Sequence, residues 1–160
     1  MTSDPTDFAG DQPITEALTA PLLARGVCRA LEHLGYASLL EFPLANGRRA
    51  DIFALGRSGD LVIIEIKSSI ADFRADRKWA EYRDFADRFY FAVPKTFPAA
   101  LIPEDCGLIV ADAFAASLIR DGRSNVLASA RRRAVTLRFA LAAAARLRRH
   151  LDPQAGFLDI

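Results

Sequence analysis

The run Leu61-Val62-Ile63-Ile64-Glu65-Ile66-Lys67 places two charges at the end of an otherwise apolar stretch. Read as a strand, its period of two puts Leu61, Ile63, Glu65 and Lys67 on one face and Val62, Ile64 and Ile66 on the other. An ion on a half-buried strand is costly unless it is paired or bound to metal. In the preceding strand-like run Arg49, Asp51 and Phe53 share a face, which makes Asp51 the natural second carboxylate. Two carboxylates converging on one point, with a lysine just beyond one of them, suit a divalent cation bound by hard oxygen ligands. Mg²⁺ prefers this set and keeps several waters, and Mn²⁺ is a substitute. Such a cation lowers the pKa of a bound water and neutralises charge building on a phosphate, while the lysine holds the nucleophile or a phosphate oxygen. That chemistry is phosphodiester hydrolysis.

Whether Asp51 and Glu65 meet depends on the hairpin register, because residues directly opposite in an antiparallel pair share a face. A four-residue loop, Gly56 to Gly59, sets Asp51 opposite Ile64 and defeats the site. A three-residue loop, Arg57-Ser58-Gly59, pairs Gly56 with Asp60 and therefore Asp51 with Glu65. Its last residue is a glycine, as the common three-residue turn with a left-handed third position requires.

The elements that must hold these residues follow from periodicity. Residues 1–13, with Asp4, Pro5, Asp7, Asp11 and Pro13, read as a mobile tail, and residues 14–160 as a single domain. From Thr15 the residues Leu18, Leu22, Leu23, Val27, Ala30, Leu31 and Leu34 recur at helical spacing until Gly35. Three strands follow, Tyr36 to Leu44, Arg48 to Leu55 and Asp60 to Lys67. Ser69 and Asp72 form a capping pair for a second helix running to about Asp87, and Phe89 to Val93 is a buried strand parallel to a neighbour. A loop with one helical turn spans Pro94 to Pro103. Gly107 to Ala111 is a further strand, Ser117 to Arg120 a short edge strand, and Ser129 to Leu151 the last helix. Ala134, Leu137, Leu141, Ala144 and Leu151 are expected on its inner face, with Arg131, Arg138 and Arg149 closer to solvent.

The chain has 160 residues, 51% hydrophobic and 26% charged, which are globular values. No apolar run is long enough for a membrane helix, and the polar start lacks a signal peptide, so a cytoplasmic protein is expected. Cys28 and Cys106 are too few for a disulfide framework and read as reduced structural thiols. His33 and His150 have no nucleophile motif beside them, which argues against histidine-based hydrolysis. No glycine-rich dinucleotide or phosphate loop is present. The net charge of +1 hides an asymmetry, because Arg120 to His150 holds nine arginines against the single acid Asp121. The basic end suits a polyanion.

The order of elements and the residues Ala50-Asp51 and Glu65-Ile66-Lys67 resemble the PD-(D/E)XK nuclease superfamily. Its restriction-endonuclease-like α/β core is helix, three antiparallel strands, helix and parallel strand, and the likeness covers most of residues 15–112. Alanine stands where that motif has proline. The string Arg25-Gly26-Val27-Cys28-Arg29, Gly47-Arg48-Arg49-Ala50-Asp51, Glu65-Ile66-Lys67-Ser68-Ser69, Asp72-Phe73, Asp76-Arg77-Lys78-Trp79 and Phe89-Tyr90-Phe91-Ala92-Val93-Pro94 is similar to the MmcB-like group of bacterial DNA-repair proteins, nearly to the C-terminus. The resemblance implies Asp51 and Glu65 as metal ligands, joined by the Ile66 carbonyl, and Lys67 as the residue positioning the attacking water. Cleavage leaves 5′-phosphate and 3′-hydroxyl ends. Lys78-x-x-x-Tyr82 resembles the Gln-x-x-x-Tyr element of RecB-like relatives, which gives Lys78 a catalytic candidacy. Glu41 is the candidate third carboxylate.

Each candidate has a plainer reading beside it. Glu41 can be a solvent-facing strand residue. Asp72 and Asp76 are expected to complement the second helix's N-terminal dipole rather than bind metal, although Asp76 can do both through its neighbour Lys78. Trp79, Tyr82 and Phe85 read as core. Arg48 and Arg49 are either a solvated hairpin entrance or phosphate contacts. Arg131, Arg132, Arg133, Arg138, Arg146, Arg148 and Arg149 are either phosphate contacts, which give affinity without sequence readout, or a solvated helix face. The expected function is a Mg²⁺-dependent DNA nuclease in repair, nucleoid-associated when bound to DNA. Other repair proteins are further partners, and many relatives form homodimers. The competing reading is a nuclease-fold module that binds DNA or recruits a partner without turnover, and a third is an RNA-processing nuclease.

Overall fold

The computed structural model describes residues 18–154, and the expected N-terminal tail lies outside them. The elements are α1 (Ala20–His33), β1 (Tyr36–Pro43), β2 (Arg49–Gly56), β3 (Leu61–Ile66), α2 (Ile70–Ala75), β4 (Arg88–Pro94), β5 (Gly107–Ala111), β6 (Ala116–Arg120) and α3 (Ser129–Leu151). A 3₁₀ segment, Trp79–Phe85, lies between α2 and β4. The strands form one sheet in chain order, β1 to β6. The first three are antiparallel neighbours, β3, β4 and β5 run parallel, and β6 returns antiparallel. This is the expected α/β order of helix, three antiparallel strands, crossover and parallel strand, with two added strands and a long C-terminal helix.

Alternation along the strands divides the core between two faces. Ile52, Ala54, Val62, Ile64, Ile66 and Ile109 lie under Leu23, Val27 and Leu31 of α1. Gly26 lets this helix settle on the β5–β6 turn, since a Cβ there would stand 2.1 Å from the Asp112 carbonyl oxygen. The opposite face carries Phe42, Phe53, Leu61, Ile63, Phe89, Phe91 and Val93 beneath the crossover and α3. Phe139 docks α3 there, its ring 6.0 Å from Phe42 and 5.9 Å from Phe53.

Two expectations need correction. The second helix does not run to Asp87: it stops at Ala75, Asp76 is extended, and a 3₁₀ segment takes over at Trp79. The Asp76 carboxylate accepts from the Lys78 amide at 3.0 Å, holding the backbone out of a helical path. Asp76 therefore sits at the C-terminal end of α2, where it cannot complement an N-terminal dipole. Asp72 does sit in the first turn, with Ser69 Oγ accepting from its amide. The second correction is the face of α3. Its buried residues are Val135, Phe139 and Ala142, whereas Ala134, Leu137, Leu141, Ala144 and Leu151 are all exposed. The inner seam is short in apolar residues because arginines anchor it at both ends. Arg132 bonds Asp87 and the Gly59 carbonyl, and Arg146 bonds the carbonyls of Leu40 and Glu41.

Candidate active site

The three-residue turn sets the register as expected. Gly59 has φ +87°, a conformation that favours glycine, and the Gly56 amide bonds the Asp60 carbonyl at 2.9 Å. The β2–β3 ladder then runs from Leu55 opposite Leu61 to Ile52 opposite Ile64, and the same register puts Asp51 opposite Glu65. At that step side chains replace the backbone ladder. The Asp51 amide donates to Glu65 Oε1 at 3.1 Å, and the Ile66 amide donates to Asp51 Oδ2 at 2.8 Å. Ile66 thus reaches the site through its main chain while its side chain packs under α1. The β1–β2 ladder also opens here: Leu40 faces Ile52 and Phe42 faces Ala50, and Glu41 between them has φ 50°. Glu41, Asp51 and Glu65 therefore form a row across three strands.

Lys67 follows β3 directly, its amide bonded to the Ala92 carbonyl of β4. Its side chain is only 6% exposed, with Nζ 2.7 Å from Asp76 Oδ2 and 3.9 Å from Glu65 Oε2. The sequence allows Asp76 a place at the metal through Lys78, but its pairing with Lys67 was missed, and the available signal was chemical: a lysine buried this deeply needs a carboxylate. Tyr82, stacked on Phe89, donates its hydroxyl to the Arg49 carbonyl at 3.1 Å and fixes β2 just before Asp51.

The other candidates lie around this centre. Glu41 is exposed and paired with Arg49. Lys78 is exposed at the head of the 3₁₀ segment and enters the site through its amide bond to Asp76. Arg48 grips Glu81 with two hydrogen bonds, of 2.8 and 3.1 Å. Arg131 lies over the Phe85 ring and donates to the Asp84 carbonyl. Arg132 is committed to Asp87 and Gly59. Arg131 and Arg138 line a groove with Asn46 and Phe85, whereas Arg133 is exposed on another side of the helix. Among the described residues, no group of three or more His, Cys, Asp or Glu side chains is arranged to hold a metal ion.

Burial dominates the electrostatics. It pushes Glu65 up to about 8, reinforced by the Asp51 charge, and it raises Asp51 despite the Ile66 amide and Lys67. Burial opposes the Lys67 charge, but Asp76 outweighs it and holds the ammonium above its usual range. The reciprocal pull of Lys67, with the Lys78 amide, keeps Asp76 below the usual carboxylate range against its own burial. Asp51 and Glu65 each commit one oxygen to a strand amide. Glu65 is 4% exposed, and its other oxygen lies 3.9 Å from the Lys67 ammonium. Two converging carboxylates with too little positive charge beside them, each with one oxygen outside these strand-amide bonds, fit a hard divalent cation.

A family model described as "DNA repair protein MmcB-like" matches residues 9–154. Among solved structures, the SPO1766 protein of unknown function from Silicibacter pomeroyi is 42% identical, with a TM-score of 0.84 over 88% of this chain and 97% of that one. Comparison with curated proteins gives no match.

Proposed function

The chain belongs to the MmcB-like family of DNA repair proteins, and from that premise we propose that it is a Mg²⁺-dependent DNA nuclease. The observation that carries this reading is the pairing of Asp51 and Glu65 on adjacent strands beside a buried lysine. Asp51 and Glu65 would hold the ion, with the Ile66 carbonyl as a further donor and Glu41 next in the row. Bound there, Mg²⁺ or Mn²⁺ supplies a more acidic water and neutralises charge on the scissile phosphate. Lys67, kept charged by Asp76, acts as a hydrogen-bond donor and not as a base. One of its protons goes to Asp76, and the others orient the attacking water or a phosphate oxygen. Attack in line with the 3′ oxygen forms the new P–O bond as the P–O3′ bond breaks, the water's proton passing to solvent and the 3′ oxygen taking one from solvent, which leaves 5′-phosphate and 3′-hydroxyl ends. Tyr82 keeps β2 in place through Arg49, and Lys78 stands at the rim for a phosphate. Arg131 and Arg138, along the groove beside β1, contact the DNA backbone.

The test is cleavage of single-stranded, flapped, branched and linear DNA by wild type and Glu65→Ala, with Mg²⁺, Mn²⁺ or EDTA. The expected result is cutting that needs both the metal and Glu65, with DNA binding kept in the variant. Equal binding by both proteins with no cutting of any substrate would leave the fold as a DNA-binding or recruiting module.

A further inference from the structure

The helix α3 has two seams about 160° apart, since each residue turns the helix by about 100°. The inner seam, Arg132, Val135, Phe139, Ala142 and Arg146, docks on the sheet. The outer one carries Leu137, Leu141, Leu147 and Leu151, which are 58%, 44%, 58% and 70% exposed. Exposed Ala130, Ala134, Ala140 and Ala144 lie between and before them. A helix resting on a domain ordinarily turns polar residues outward. Here the outward face is leucine with small residues between, which lets another helix approach closely.

We propose that this outer seam is the docking site for an acidic amphipathic helix of a partner protein. The charge pattern selects that occupant. From Ser129 to Leu151 the helix has no Asp or Glu, and Arg133 and Arg148 stand within the outer seam itself, Arg148 sharing its guanidinium with the capping Asp152 at 3.0 Å while staying 65% exposed. A second copy of α3 would set arginine against arginine. Parallel pairing aligns each with itself, and antiparallel pairing about Leu141 brings Arg133 beside Arg148 and Arg149 of the other copy. A lipid surface is a poorer match, because the seam offers alanines and two arginines where an interfacial helix presents bulky aromatics and leucines. DNA gains nothing from the leucines. A partner helix with apolar residues at alternating three- and four-residue steps fills the seam, and its flanking carboxylates meet Arg133 and Arg148. Leu137 to Leu151 spans about 21 Å of axis, enough for four turns of partner. The inference is independent of the nuclease reading.

The probe is a labelled synthetic helix of about 18 residues, with leucines at that spacing and glutamates flanking them. It is titrated against the full chain by fluorescence anisotropy, beside versions with lysine for glutamate and with serine for leucine. The expected result is saturable binding of the leucine–glutamate peptide alone, weakened about tenfold or more by Leu137→Ser/Leu141→Ser. Arg133→Glu/Arg148→Glu should switch preference to the leucine–lysine peptide. These positions are exposed, so a thermal melt close to wild type accompanies the loss, and the leucine variant keeps its behaviour toward DNA. The proposal is overturned if the peptide does not bind, or binds regardless of the leucines. It is also overturned if sedimentation shows a dimer that Leu137→Ser separates. Leucine-dependent binding to vesicles of equal phosphatidylglycerol and phosphatidylcholine, or peptide binding only after removal of residues 155–160, overturns it too.

Discussion

Glu65 and Asp51 oppose each other across β2 and β3, and burial holds the Glu65 proton up to about 8 against 4.5 for an ordinary glutamate. The folded chain therefore binds that proton more tightly than the unfolded chain, so stability falls as pH climbs from about 4.5 toward 8. Glu65→Gln keeps an acceptor for the Asp51 amide and removes the penalty. In EDTA the variant should exceed wild type by on the order of 3 kcal/mol above pH 8 and match it below about 4.5, read from denaturant midpoints. Lys67 and Asp76 behave in the opposite sense, as mutually satisfied charges. Asp76→Ala leaves a buried ammonium without its partner and should cost about 3 kcal/mol, whereas Lys67→Met/Asp76→Ala should recover most of the loss. A double-mutant cycle in urea checks both. The Asp51–Glu65 pair was legible in the sequence because a local feature, Gly59 at the third turn position, sets its register. The pairing of Asp76 with Lys67 was not, because it is an ion pair across a crossover, and no periodicity records such a contact.

Among the elements, α1 is held by its approach to the β5–β6 turn. A Cβ at Gly26 would meet Asp112 O at 2.1 Å and Ala115 O at 2.8 Å, both main-chain atoms that cannot rotate away. Gly26→Ala should destabilise by about 2–3 kcal/mol, with a lower thermal midpoint and a sheet that still forms. The positions of the strands were readable because apolar alternation and turn residues are local. The crossover was misread as one helix, since Ala75, Trp79, Tyr82 and Ala86 keep helical spacing across a break made by the Asp76 side chain. For α3 the ends were legible and the face was not. Counting apolar residues chose the seam with more leucines, but the domain binds the seam whose ends are arginines seeking carbonyls and Asp87.

At the scale of the whole molecule, the arginines of one helix divide between a groove and the outward leucine seam, where Arg133 and Arg148 stand. Arg131 and Arg138 line the groove beside the β1–β2 turn, and the leucines face away. Arg131→Ala/Arg138→Ala should weaken binding to DNA of any sequence and reduce the slope of log affinity against log salt by about 2, as expected for two phosphate contacts. Filter binding over a salt series measures it. Among the described residues no helix is long and apolar enough to cross a membrane.

The grip of Arg146 on the carbonyls of Leu40 and Glu41 joins positions 106 and 105 residues apart. A ribosome releases β1 first and Arg146 about a hundred residues later, so at about 5–20 residues per second roughly 5–20 s of synthesis separate them. Through that interval β1 is an open edge, able to template pairing with another nascent chain. The closing helix therefore acts as a late safeguard in biogenesis. A chain cut before Arg146 should therefore keep the Leu40 and Glu41 carbonyls unpaired on this edge and aggregate more readily during refolding, as light scattering would show.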